Sequence, residues 1–179
     1  MNRRTKARLA AAAAEGDTQA FSELYGEIYK QLYYYALANL RSTEDAADAV
    51  QDAVLDAFSS ISKLKKSSAF DSWMFRILST KIKRKQAEYS QSHVSIDEIN
   101  ESDALIKDTV SFEKCEILEE FANLNENERL CITLNCIAGY KSSEISEITG
   151  INIATVRSYI SRGRKKMKTG LYNNCKEVT

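Results

Sequence analysis

The sequence predicts an all-α protein of two helical-bundle domains joined by a flexible linker, on three observations. The 179 residues include no proline, so no imino ring interrupts a helical hydrogen-bond ladder. Apolar residues recur every three or four positions rather than alternating, which is the period of one helical face and not of a strand. A polar, acidic stretch then breaks this pattern near the middle of a chain long enough for two compact cores.

Taken in order, an alanine-rich helix comes first and ends at Gly16 and Asp17. Phe21, Leu24, Tyr25, Ile28, Leu32 and Tyr35 then mark an amphipathic helix. A second such helix starts near Thr43, with Ala47, Val50, Val54, Ala57, Phe58 and Ile61 as its apolar stripe. A third holds Trp73, Met74, Ile77 and Leu78 and ends in the basic run Lys81, Lys83, Arg84 and Lys85. These helices form one bundle over residues 1–88. Residues 89–111 are rich in serine and acids and read as a linker, so the two units are expected to tumble semi-independently unless an inhibitor clamps them. In residues 112–179 a new helical pattern opens at Cys115, Leu118, Phe121 and Ala122. Asn125 followed by Glu128 then signals a helix start, for a helix through Leu130, Leu134 and Ile137 to Gly139.

Hydrophobic residues make up 44% and charged residues 28% of the chain, the balance of a folded globular protein. Net formal charge is zero, so a nucleic-acid partner has to be argued from local asymmetry. That asymmetry exists: Arg157, Arg162, Arg164, Lys165, Lys166, Lys168 and Lys176 follow one another with no intervening acid, whereas residues 97–120 are acidic. Cys115, Cys131, Cys136 and Cys175 form no C-x-x-C pair, and His93 is the sole histidine, so no metal and no cofactor is expected. Cys115, Cys131 and Cys136 read as small buried hydrophobes. Arg3, Arg4, Lys6 and Arg8 precede an apolar run that Glu15 and Asp17 cut short, unlike an export signal. With no stretch long enough for a membrane span, no membrane insertion and a cytoplasmic location are expected.

The strongest local signal runs from Ser142 to Met167. Ile145 and Ile148 lead into Gly150, Ile151 and Asn152, after which Ile153, Val156, Ile160 and Met167 form a second stripe. That is a helix-turn-helix pattern: Gly150 frees the backbone for the turn, Ile151 plugs the corner and Asn152 caps the second helix. With this stripe inward, Ala154, Thr155, Ser158, Ser161 and Arg162 face outward, small enough to enter a major groove. Arg157 is a second candidate for base contact. Arg164, Lys165, Lys166 and Lys168 are candidates for phosphate contacts.

Asp48, Gln51, Asp52 and Leu55 share one face of the second amphipathic helix, about 120° from its apolar stripe. On periodicity alone this is an ordinary solvated face, with docking to a basic protein surface as the alternative. A metal-enzyme reading of Asp45, Asp48 and Asp52 lacks converging ligands, a phosphate loop or a nucleophile motif, and no enzymatic activity is expected.

Three blocks, Glu44 to Phe58, Phe70 to Ile77 and Tyr140 to Met167, together resemble the bacterial RNA polymerase sigma factors of the extracytoplasmic-function group, in the family's order and spacing. The resemblance implies a region-two domain over residues 1–88 and a region-four domain over 112–179. It implies a factor that binds core RNA polymerase, through the largest subunit's clamp helices and the flap, and directs promoter-specific initiation. Asp48, Gln51, Asp52 and Leu55 then become the clamp-binding face. The loop from Ser62 to Phe70 and the following helix acquire the downstream promoter element, with Lys63, Lys65, Lys66, Ser67, Arg76, Thr80, Lys83 and Arg84 as contacts, because exposed cations hold phosphates around a flipped base. Phe75 and Trp73 invite a stacking role there, but Trp73 sits beside Met74 and Ile77 and reads as core. The upstream element falls to Ala154, Thr155, Arg157, Ser158, Ser161, Arg162, Arg164, Lys165 and Lys166. An anti-sigma factor is the further partner implied. The chain departs from the family at Thr80 and Arg84, where asparagine and aspartate are common, at Asn125 in place of proline, and at Ser146 in place of alanine. A repressor or activator that is not a polymerase subunit is the alternative, although the N-terminal half lacks the strand-helix alternation of a receiver domain.

Overall fold

A computed structural model describes residues 1–92, 121 and 123–177, with side chains described over 1–90, 121 and 123–168. The chain is all-α, with seven α-helices and no strand among the described residues. They are α1 (Arg3–Ala14), α2 (Thr18–Leu40), α3 (Thr43–Ser60), α4 (Phe70–Ser92), α5 (Glu126–Cys136), α6 (Ser142–Thr149) and α7 (Ile153–Glu177). The expected linker begins inside α4, which continues to Ser92, and its residues 93–111 lie outside the described residues, as do Cys115, Leu118 and Ala122.

Local chemistry sets the helix ends. Asp17 caps α2 by accepting from the Ala20 N–H at 3.0 Å, after Gly16 has reversed the chain at φ +105°. Ser42 accepts from the Asp45 N–H to cap α3. At α5 the Asn125 side chain accepts from the Glu128 N–H at 2.9 Å while the Glu128 carboxylate accepts from the Asn125 N–H at 3.4 Å, a reciprocal capping box that satisfies two orphan donors.

Helices α1 to α4 enclose Leu24, Ile28, Leu32, Tyr35, Met74, Phe75, Leu78 and Ile82, all essentially without solvent contact. Burial of each such side chain contributes about 1.5–3 kcal/mol. The Tyr35 hydroxyl meets Ser79 Oγ at 2.8 Å, and the Ser79 hydroxyl donates a hydrogen bond to the Phe75 carbonyl, so the buried phenol is satisfied.

The stripe expected on α3 is rotated. Its buried residues are Ala46, Ala49, Val50, Ala53 and Ala57, whereas Ala47 is exposed and Phe58 is 48% exposed. The close approach of α2 and α4 selects methyl side chains, and larger apolar groups are pushed to the rim. Asp48, Gln51, Asp52 and Leu55 therefore lie nearly opposite the core.

At the outer edge of α3, the Asp45 carboxylate receives Lys85 Nζ at 2.7 Å and the Tyr89 hydroxyl, while the Asp45 backbone N–H donates to Ser42 Oγ. Burial raises its pKa, but the hydrogen bonds from Lys85, Tyr89 and Ser42 outweigh this and hold the carboxyl below the usual value. A depressed folded pKa stabilises the fold above the unfolded value of about 4 and loses that contribution as pH falls through the folded one. Asp45→Asn should flatten the acid side of the stability-pH curve below about pH 4, read by urea titrations across pH 2–7; an unchanged slope would count against the cluster.

The two bundles are packed together rather than separate. Helix α5 lies against α2 and α6 against α4, and Leu130, Leu134, Ile145, Ile148 and Val156 join the N-terminal core. Ala38 of α2 packs with Phe121, Leu124 and Ile132. Across this seam Asn39 Nδ2 donates to Thr133 Oγ1 at 3.0 Å, Arg129 donates to the Asn39 carbonyl at 3.3 Å, and Lys83 Nζ donates to the Thr149 carbonyl at 2.8 Å. The Phe75 ring meets that of Tyr140 edge-on at 5.4 Å. In this arrangement both partners bury apolar surface that separation would return to water.

Of the cysteines, Cys131 is buried as expected, and its thiol is pushed up to about 11 by burial. Cys136, expected to be buried, is instead exposed at the last position of α5. Cys115 and Cys175 have no described side chain.

Candidate nucleic-acid interface

The C-terminal site is built on a tight helix-turn-helix. Gly150 ends α6 in the left-handed region at φ +75° with its N–H on the Ser146 carbonyl at 2.9 Å. The Asn152 side chain accepts from the Ala154 N–H at 2.9 Å and opens α7. Ile151 packs into the core at the corner, next to Ile145 and Ile148. Ser146, which sequence reasoning treated only as a small substitute for alanine, donates its hydroxyl to the Ile151 carbonyl at 2.7 Å. It therefore ties α6 to the far side of the turn, five residues on.

Helix α7 turns Val156, Ile160 and Gly163 inward. Gly163 fits where a Cβ would stand 2.9 Å from Ile132 Cδ1 of α5, so the two helices approach backbone to side chain without a spacer. The opposite side is a shallow groove lined by Ala154, Thr155, Arg157, Ser158, Ser161 and Arg162. These are the expected outward residues, all exposed except half-buried Thr155. Arg164, Lys165 and Lys166 are exposed along the same helix, but two of them already hold partners on α5. Arg164 donates to Asn135 Oδ1 at 2.7 Å and Lys166 reaches Glu128 Oε2 at 2.7 Å. Lys165 shares the azimuth of Ser158 and Ala154 at helical spacing.

A second basic surface lies on α4 and the loop before it. Arg76, Thr80, Lys83 and Arg84 fall at i, i+4, i+7 and i+8 and are exposed together. Lys63, Lys65 and Lys66 are exposed in the preceding loop with Ser67 half-buried, around two short 3₁₀ turns, Ile61–Lys63 and Ser67–Ala69. Lys83 is engaged by the C-terminus of α6 at Thr149, and Arg84 pairs with Glu88 at 2.9 Å. Lys81 and Lys85 belong to neither surface, being pinned to Asp56 and Asp45 of α3. Phe75 is 1% exposed and has no face to offer a base, and Trp73 is half-buried against the core beside Phe70.

The acidic face of α3 stands apart from both. Asp48, Gln51, Asp52 and Leu55 are exposed, Leu55 at 60%. Asp48 lies 3.7 Å from Lys85. Phe58 extends the apolar part of this face and meets Phe21 edge-on at 5.2 Å. Sequence reasoning had assigned Phe58 to the core.

Comparison with known proteins places these surfaces in a family. The description "Sigma-70 region 2" matches residues 24–88 and "Sigma-70, region 4" matches residues 116–167. The chain is 25% identical over 168 residues to the ECF RNA polymerase sigma factor SigM of Mycobacterium tuberculosis, covering 92% of this chain and 83% of that protein. It is 28% identical over 174 residues to SigW of Bacillus subtilis, covering 88% and 91%, and 28% identical over 169 residues to the sigma-E factor of Escherichia coli, covering 84% and 86%. Among solved structures, CnrH in complex with the cytosolic domain of CnrY superposes with a TM-score of 0.72 at 24% identity, covering 94% of this chain and 98% of that one. RpoE in complex with the anti-sigma factor NepR, from Bartonella quintana, superposes at 0.74 and 20% identity, covering 87% and 98%. With both regions matched in order on an all-α chain, the protein belongs to the sigma-70 family, in its extracytoplasmic-function group.

Proposed function

We propose that this chain binds core RNA polymerase through the α3 face of Asp48, Gln51, Asp52 and Leu55 and directs initiation by reading promoter DNA with α4 and α7. The observation that carries the reading is the groove along α7, where six outward residues combine small side chains with two flanking arginines on a helix-turn-helix scaffold. Small residues let the helix sink into a major groove and arginines match guanine edges. The downstream element falls to the α4 face and its preceding loop. The factor acts by binding and positioning rather than as an enzyme, works in the cytoplasm, and is held by an anti-sigma factor, the kind of partner seen with the structural neighbour RpoE.

Run-off transcription with core polymerase over a promoter library tests this. The chain should direct initiation at a sequence-defined subset. Promoter binding without chain-dependent initiation would favour a repressor or activator instead, and neither would overturn both. In the same library Arg162→Ala should cost about 1–3 kcal/mol and relax preference at one upstream base, whereas Lys165→Ala should weaken all promoters alike and reduce the salt slope by about one. If Arg162→Ala and Arg157→Ala each lower initiation equally on every variant, neither reads a base, and specificity falls to Thr155, Ser158 or DNA shape.

A further inference from the structure

Glu128 is the most enclosed carboxylate among the described residues, 1% exposed on the first turn of α5. A buried charge persists only where it is paired and hydrogen-bonded. Here Oε2 meets Lys166 Nζ at 2.7 Å and accepts from the Asn125 N–H at 3.4 Å, while Oε1 lies 3.6 Å from Arg162 Nε. The positive end of α5 adds to this stabilisation. Both cations come from α7, and both remain about half exposed at their own ends. The Arg162 guanidinium is also held over the Tyr159 ring, 5.0 Å from its centre. Arg162 is thus gripped on two sides, by an anion behind it and an aromatic face beside it.

We propose that Glu128 is a positioning residue for promoter recognition: from behind α7 it fixes the direction in which Arg162 leaves the helix and draws Lys166 off the DNA-facing side. The inference rests on the reading of α7 as the upstream-element helix. Two consequences follow from the geometry. A guanidinium whose Nε side is anchored enters the groove already oriented, so its selectivity for one base edge rises. A carboxylate that neutralises Lys166 also withholds charge from phosphates of any sequence, which lowers non-specific binding. Glu128 therefore acts on the ratio of specific to non-specific binding and touches no nucleotide itself.

The test uses the full chain and its holoenzyme with core polymerase. Glu128→Gln keeps the volume and the capping-box chemistry and removes the charge. It should reduce base preference at the position read by Arg162 by about tenfold, while raising the affinity of the free chain for a random-sequence duplex. Glu128→Asp keeps the charge and shortens the reach; it should lose base preference without the gain in non-specific affinity, and it serves as the second variant if Gln destabilises α5. In an Arg162→Ala background Glu128→Gln should leave base preference unchanged, because the group it positions is gone. A merely structural Glu128 would lower all promoters together. Wild-type base preference in both Glu128 variants overturns the proposal alone, whereas a wild-type holoenzyme with no upstream preference overturns the reading of α7 and the proposal with it.

Discussion

Phe75→Ala should lower the free energy of unfolding by about 3–5 kcal/mol, the range for emptying a buried aromatic site. Phe75 is 1% exposed and its ring is met edge-on by Tyr35 at 5.5 Å within the N-terminal bundle and by Tyr140 at 5.4 Å from the C-terminal one. Removing it opens a cavity at the point where the bundles share a core, and an edge-on aromatic pair adds about 0.5–1.5 kcal/mol beyond area. Urea titration gives the loss directly, and amide exchange should rise most in α6, which packs on α4, and around Tyr140, whose ring meets Phe75. Phe75→Leu, which keeps most of the volume, should cost less than half as much. A loss below about 1 kcal/mol for the alanine variant would mean that the seam collapses to fill the space and that Phe75 is not its keystone.

The second large effect concerns the polymerase. Asp48→Lys with Asp52→Lys should reduce affinity for core polymerase by at least about 100-fold, since like-charge juxtaposition at a protein interface costs several kcal/mol. Both carboxylates are exposed and contribute little to the core, so the variant should fold, with a small loss from setting a new lysine near Lys85 in place of the 3.7 Å Asp48 pair. Leu55→Ala should weaken the complex through lost apolar contact alone and leave its salt dependence unchanged. Wild-type affinity in the folded double variant would remove the α3 face from the polymerase assignment.

What could be read from the sequence was chemistry that closes on itself within a few residues. Gly16 and Asp17 before α2, the Asn125 to Glu128 box before α5, and Gly150 with Asn152 at the turn each satisfy backbone groups locally, so each carries its own signature. The outward face of α7 was legible for the same reason, because Val156 and Ile160 leave one side for Ser158 and Arg162. The alanine-rich α3 was not. Its apolar residues run most of the way around, so periodicity alone could not separate Ala47 and Phe58 from Ala49 and Ala53, and only the proximity of α2 and α4 decides. The seam was illegible too, because Asn39, Arg129 and Thr133 meet across about 90 positions of chain. The pairing of Arg164 and Lys166 with α5 was missed on the same ground: a basic run in sequence does not say which of its members look backward.

Gly163 sets how closely the C-terminal unit packs. Because a Cβ there would stand 2.9 Å from Ile132 Cδ1, the missing side chain lets α7 seat close on α5 in its present rotation, with the isoleucine methyl filling the space. A turn by a single residue, about 100°, would carry Ser158 and Lys165 away from the outward direction and bring a different set of side chains forward. The row of groups on the outward side of α7 is thus supported from the far side of the helix, where a hydrogen atom faces an isoleucine methyl. Promoter preference could then drift through substitutions at residues 132 and 163 that never approach a nucleotide.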